Sequence, residues 1–546
     1  MLIVGNPPWD KTRFEEPLFF SQYHSNYRTS PISRKSEIAA SLLARPNIRA
    51  KYEREKERID LINQYLSLKF PLSQGVGDNN LFRFFVEKSL SLLAPGGGLS
   101  YVLPTAILTE DSSIGLRKRI LEKYYLRSFD SFENRRRLFP GVNSRYKFCL
   151  AQIENRVEPQ PTTQARFMLS DPQVLNTEAG LFPYSLADVQ TTSPRHWAYM
   201  ETANGEKDLK TLKKLYSLYP PFAPTWLEFR RELHACKDQK IFLEKDAPGR
   251  LPIYKGEMIW QFQARVAQPK YWLEPSELDA YFALAQLCRL KNDLKAQFAS
   301  DWALQKAFKP GFDWPKILSF LGLKNEADLL PLIIPERNFP RLAFRAISGN
   351  TDERTLVAAL LPRDIAAQNS LWLSIPGQYA LDWEKRRIVY KKTPLPRLLF
   401  AQALFNSLTV DWILRAMVAI NVSKTYVRRL PLPQPTDQEL ATNPLFLDII
   451  QASARLSLAH EPELWNDLKE LKELKKLKET LNFDQAAPLL APEDFDAEKA
   501  ALDLKITRLY GLTPDEMENI LHNFKVIKKK YPNYYSTILY NIKHSL

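Results

Sequence analysis

The chain has 546 residues, 45% of them hydrophobic, with a formal net charge of +14 and a pI near 9.3; that length predicts several domains and that charge an anionic partner. No run of about 18 apolar residues occurs and the amino terminus lacks the charged stretch of a signal peptide, so nucleic acid fits better than membrane. Cys149, Cys236 and Cys288 are widely spaced and the six histidines are scattered, which argues against a disulfide framework or a zinc site and for a reducing cytoplasm.

The run Leu2-Ile3-Val4, stopped by Gly5 and two prolines, predicts a buried strand feeding a loop. The loop Asn6-Pro7-Pro8-Trp9 is stiff and poor in donors; it offers the Asn6 side-chain carbonyl and the Pro7 main-chain carbonyl as acceptors, with the Trp9 ring beside them. Two acceptors and a flat aromatic suit a planar exocyclic amine such as that of adenine. Holding both amine hydrogens lets the nitrogen pyramidalise toward an electrophilic methyl group while Trp9 stacks on the flipped base. The other reading of the same four residues is a rigid turn.

Residues 11 to 75 are polar, rich in Arg, Lys and Tyr, with a charged helical segment near Ile48 to Leu68; they read as an insertion near a nucleic acid or as a solvated helical lid. Asp78 sits where an N-cap belongs, ahead of a helix from Leu81 to Leu93 that buries Phe82, Phe85, Val86, Leu90 and Leu93. Gly96-Gly97-Gly98 then lead into a strand, Leu99 to Pro104. A helix is expected over Ile114 to Tyr125, a strand over Leu126 to Phe132, a loop from Glu133 through Arg135-Arg136-Arg137 and Phe139-Pro140 to Val142, and a returning strand from Tyr146 to Ile153.

In this order, Asn6-Pro7-Pro8-Trp9 and the elements after it resemble the gamma-type adenine-N6 DNA methyltransferases, including those of type IIG restriction-modification and phage-defence enzymes. The resemblance implies an α/β fold, the C-terminal half of a Rossmann-like methyltransferase sheet, methylating the adenine amine in double-stranded DNA from S-adenosylmethionine. It gives Asn6, Pro7, Pro8 and Trp9 the catalytic roles and Phe139 the second stacking face, with Tyr146 or Phe148 as alternatives. Asp78 would line the cofactor pocket, unless it only caps the helix. Arg135, Arg136 and Arg137 would suit phosphates near the base, or form an ordinary solvated charge run. In that family the glycine-rich cofactor loop and its acidic residue precede the motif, whereas five residues precede Asn6 here. The resemblance therefore implies a missing cofactor-binding half, supplied by a second polypeptide. Gly75 to Gly77 and Gly96 to Gly98 do not replace it, since neither sits on a strand-to-helix turn with an acidic residue at suitable spacing.

From about residue 156 the texture turns to Pro, Thr and Gln, and residues 156 to 250 read as a connector with helical pieces such as Lys207 to Tyr216. Residues 251 to 435, from Leu251-Pro252-Ile253-Tyr254 through Arg341 to Ser348 and on to Asn421 to Pro433, resemble the target-recognition region of the same enzymes, a mixed α+β domain. Arg345, Arg354, Lys424, Arg428 and Arg429 are its DNA-contact candidates, with structural ion pairs as the competing role. Residues 436 to 546 read as a helical tail, including an amphipathic stretch from Leu464 to Leu481 and a helix pair divided by Gly511 and capped by Thr513. Two further readings stay open: a DNA-binding specificity subunit without catalysis, and an inactive remnant.

Overall fold

The computed structural model describes residues 2–545 apart from 75, 76, 78, 145, 160, 309, 310, 350, 419, 420, 461–489, 492 and 493. The expected amphipathic stretch from Leu464 to Leu481 and the cap or cofactor role of Asp78 lie outside the described residues. The chain divides into two compact units, Met1–Leu218 and Tyr219–Leu546.

The first unit is built on β1 (Leu2–Gly5) and five later strands. Between β1 and the next strand lie α1 (Glu16–Ser21), α2 (Ile32–Leu43), α3 (Pro46–Lys69) and α4 (Leu81–Leu92). Then follow β2 (Gly98–Pro104), α5 (Ala106–Thr109), α6 (Ile114–Lys123), β3 (Tyr125–Glu133), β4 (Lys147–Glu154), β5 (Thr162–Leu169), β6 (Phe182–Ser185), α7 (Leu186–Thr192) and α8 (Glu206–Leu218). The strands form one mixed sheet in the order β1-β2-β4-β3-β5-β6, with β1/β2 and β3/β5 parallel and the other pairs antiparallel. Val86 and Leu90 of α4 and Leu116 and Ile120 of α6 pack against Leu99, Leu103, Phe129 and Ile153 of the sheet. Burying such a set is the main stabilising term of the unit.

Several expectations change in this unit. The strand expected to be buried, β1, has one neighbour, and Leu2 and Val4 are each 69% exposed while Ile3 packs on the core. A strand is buried only where both faces are covered, and among the described residues nothing covers the face bearing Leu2 and Val4. Asn80 caps α4 by accepting from the Phe82 amide at 3.4 Å, and Phe85 is 45% exposed rather than core; Phe84 is buried in its place, against Phe70 at 5.8 Å. Residues 156–218 are no connector. Thr162–Leu169 and Phe182–Ser185 complete the sheet, and α7 carries a capping box between Ser185 and Asp188. Polar Thr162, Thr163 and Gln164 hid this strand, and its buried Arg166 is matched by Asp130 at 2.6 Å. The insertion after the Asn-Pro-Pro-Trp loop has its own small core of Phe19, Phe20, Tyr27, Leu42 and Ile48.

In the second unit the strands are β7 (Phe229–Arg230), β8 (Leu251–Tyr254), β9 (Trp272–Leu273), β10 (Arg341–Arg345), β11 (Ala358–Leu361), β12 (Ala366–Ala367), β13 (Leu371–Ser374), β14 (Gly377–Asp382) and β15 (Arg387–Lys392). They make a four-stranded sheet β11-β10-β13-β7, a three-stranded sheet β12-β8-β9 and the hairpin β14-β15. The expected domain start at residue 251 is too late, because Phe229 and Arg230 already pair with Ser374 and Leu373. The long helix Pro275–Ser300 braces the hairpin: Gln297 exchanges hydrogen bonds with the Leu381 backbone at 2.7 and 3.1 Å. The helices Leu395–Asn406 and Pro444–Leu458 are largely buried and pack with Phe495–Leu509, so the described part of the tail belongs to this unit's core. Gly511 takes a positive φ of 58° between that helix and Pro514–His522, whose capping box joins Thr513 and Glu516. Among the described residues no helix is long and apolar enough to cross a membrane.

Candidate active site

The Asn6-to-Trp9 loop leaves the carboxyl end of β1 and is fixed at both ends by backbone hydrogen bonds. Before it, Gly5 pairs with Tyr101 of β2. After it, the Leu81 amide donates to the Asp10 carbonyl at 2.9 Å and the Thr12 amide to the Asn79 carbonyl at 3.1 Å, so the loop's exit runs antiparallel to the residues that start α4. Within this frame Pro7 is buried and Asn6 and Pro8 are exposed. Asn6 has no side-chain partner among the described residues, which leaves its acceptor open to an incoming group.

Trp9 is half-buried against the sheet core. Its ring centroid lies 5.6 Å from that of Phe139 at an interplanar angle of 59°. Phe139 in turn meets Phe148 edge-on at 4.8 Å, and Phe148 stacks on Phe132 at 5.3 Å. Trp9 and Phe139, 130 positions apart in sequence, thus begin one aromatic file beside the loop. Of the alternatives to Phe139, Phe148 is the third ring in this file and Tyr146 is 58% exposed. The buried indole N–H of Trp9 has no acceptor among the described residues.

One side chain that the sequence reading passed over holds Phe139. Asn134, buried after β3, donates to the Phe139 and Val142 carbonyls at 3.0 and 2.9 Å and accepts from the Phe139 amide at 3.0 Å. A single amide side chain thereby closes the loop Arg135 to Val142, in which Arg137 adopts a left-handed φ of 52°. An Asn between a strand and an arginine run was the available signal. Glu110, exposed at the end of α5, was also passed over: desolvation and then the Asp111 carboxylate push its carboxyl up, opposed by Arg83 and Lys11.

The basic candidates divide sharply. In the first unit Arg135 and Arg136 are more than half exposed, pairing with Glu133 at 2.6 Å and Asp171 at 2.8 Å. In the second, Arg354 is 2% exposed, bound to Asp411 at 3.1 Å and to the Asn406 carbonyl. Arg429 is also buried, beside the Tyr426 ring. Arg345 donates to the Ile259 carbonyl at 3.0 Å and lies over Trp260 at 4.7 Å. These three are engaged by their own chain, the competing structural role. Lys424 and Arg428 share the Glu228 carboxylate while staying about a third exposed. Among the described residues no group of acidic, His and Cys side chains could hold a metal ion.

Residues 51–139, which run from within α3 through α4, β2 and β3 to Phe139, match the family described as Eco57I restriction-modification methylase. No protein of curated function matches the chain by sequence. Among solved structures, the type IIL restriction-modification enzyme MmeI in complex with DNA is similar at 10% identity over 83% of this chain and 53% of that one, with a TM-score of 0.41. A DrdV–DNA complex is similar at 10% identity over 84% and 44%, with a TM-score of 0.39, and the type IIG restriction endonuclease BpuSI at 11% over 80% and 51%, with a TM-score of 0.27. At these scores the likenesses carry no argument, and the chain spans about half the length of the structures it matches. The family match lies within the first unit and ends at Phe139.

Proposed function

We propose that the first unit forms the methyl-acceptor half of an adenine-N6 DNA methyltransferase acting on duplex DNA within a restriction-modification or defence system. The observation that carries the reading is the pairing of the exposed Asn6 with the Trp9 and Phe139 rings at the carboxyl end of β1. In this reading Asn6 and the Pro7 carbonyl accept the two amine hydrogens, which withdraws the nitrogen lone pair from the ring and directs it at the incoming methyl group. Trp9 and Phe139 hold the faces of the extruded base. Two rings enclosing one base need centroids about 7 Å apart, twice the contact distance of aromatic carbons. From 5.6 Å the two rings must therefore part before the base enters.

S-adenosylmethionine is the methyl donor in this reading, yet the described residues do not fit it. The two parallel strands at this end lead into Asn-Pro-Pro-Trp and into Pro104-Thr105, and Gly96 to Gly98 lie on a helix-to-strand turn; neither supplies the glycine-rich turn that cradles a nucleotide cofactor. The free edge of β1, with Leu2 and Val4 exposed, suits pairing with further strands that bring that turn, from a second polypeptide. The basic net charge of +14 supports duplex DNA as the substrate.

The test is nucleoside mass spectrometry of DNA from cells lacking adenine methylation that express the chain together with the cofactor-binding polypeptide. N6-methyladenine is expected. N4-methylcytosine in its place would overturn the assignment of the base.

A further inference from the structure

A cleft of about 800 Å³ opens between the exit of the Asn6-to-Trp9 loop, α1 and the first turns of α3. Five basic and three acidic side chains line it, together with the rings of Phe14, Phe19 and Tyr23. Two acidic groups are already matched, Glu15 by Arg13 and Glu55 by Arg58. Lys51 and Arg54 are exposed and carry no ion pair among the described residues. Lys51, Arg54 and Arg58 recur at three- and four-residue spacing and so share one face of α3. The cleft is thus a positive groove with an apolar floor, next to the loop where the base is to be turned out.

The same helix is bolted to the loop one turn further on. Asn63 accepts from the Thr12 hydroxyl at 2.6 Å, donates to the Thr12 carbonyl at 2.9 Å and accepts from the Asn79 side chain at 3.0 Å. One amide side chain therefore joins α3, the loop exit and the segment that starts α4.

We propose that this cleft seats backbone phosphates of the DNA strand carrying the target base, and that Asn63 is a positioning residue linking the helix that grips them to the loop that receives the base. The proposal rests on the methyltransferase reading above. Phosphates supply the countercharge that Lys51 and Arg54 lack, and fixing the strand on the same helix, two to three turns before Asn63, holds the loop exit in register while the base leaves the duplex.

The experiment uses the full chain and random-sequence duplex DNA. For the wild type the logarithm of the affinity should fall steeply with the logarithm of salt concentration, and the double variant Lys51→Glu/Arg54→Glu should lower that slope by about two, with thermal unfolding unchanged because both side chains are exposed. In hydrogen exchange, DNA should slow amides of residues 10–14 and 51–58 in the wild type, whereas in Asn63→Ala the slowing should persist at 51–58 and vanish at 10–14. An unchanged slope in the double variant overturns the cleft as a phosphate site. Persistent protection of residues 10–14 in Asn63→Ala overturns the linkage. A wild-type chain that binds no DNA at low salt overturns the DNA reading itself, and the cleft with it.

Discussion

The candidate DNA-contacting arginines of the two units differ in exposure. In the first, Arg135 and Arg136 stand in solvent with single carboxylate partners, in the loop that leads to Phe139. In the second, Arg354 and Arg415 converge on Asp411 beneath the Phe524 ring. The Asp411 carboxylate also accepts from the Thr355 and Leu356 amides at 3.0 and 3.2 Å. Arginines picked out for the same reason thus serve as available charge at Arg135 and Arg136 and as internal scaffold at Arg354, the role that Arg166 plays in the first unit. Exposure, rather than composition, decides whether an arginine can reach a phosphate.

Removing charge separates the two uses most strongly. Arg354→Ala removes one of the two arginines opposite the buried Asp411 and empties a buried site, and should destabilise the second unit by about 3–5 kcal/mol, whereas Arg136→Ala should change stability by less than about 0.5 kcal/mol. Denaturant titration of the full chain checks both. Equal and small losses would mean that the Arg354 network contributes little.

A smaller effect is expected at the aromatic file. Asn134→Ala removes three hydrogen bonds and strands the Phe139 amide and the Val142 carbonyl; it should cost about 1–3 kcal/mol and loosen the Phe139 loop, which faster hydrogen exchange over residues 135–142 would register. If exchange there is unchanged, Asn134 is not what closes the loop.

The mildest prediction concerns pH. The Glu110 carboxyl titrates above its ordinary value because desolvation and Asp111 disfavour its charge. The folded state then holds this proton over a range in which the unfolded state has lost it, so stability falls as pH rises through that range. Glu110→Gln removes the loss. The variant should melt above the wild type at about pH 7 and match it at about pH 4, below the unfolded value; a variant less stable at neutral pH would show that Glu110 is held by a favourable charge partner.

What was legible in the sequence follows the same division. The Asn6-to-Trp9 loop, α4, β2, α6, β3 and β4 could be read because apolar periodicity and Gly/Pro punctuation are local. Phe139 was reachable through the family pattern. The exposure of Leu2 and Val4 was not, since it depends on what covers that face of β1 in three dimensions. Nor was the strand Thr162–Leu169, whose polar edges look like a linker until Asp130 is seen to match Arg166. The fate of Arg354 depended on Asp411, 57 positions away, a distance over which residue type alone carries no information about burial.

The account turns on Asn6 as an acceptor rather than a turn residue. N6-methyladenine in the DNA of cells expressing the chain with its cofactor-binding partner should fall by on the order of a hundredfold or more in Asn6→Ala, as expected for loss of one preorganised hydrogen-bonding group, while the affinity of the purified protein for duplex DNA stays close to that of the wild type. Near-normal methylation by Asn6→Ala would contradict it.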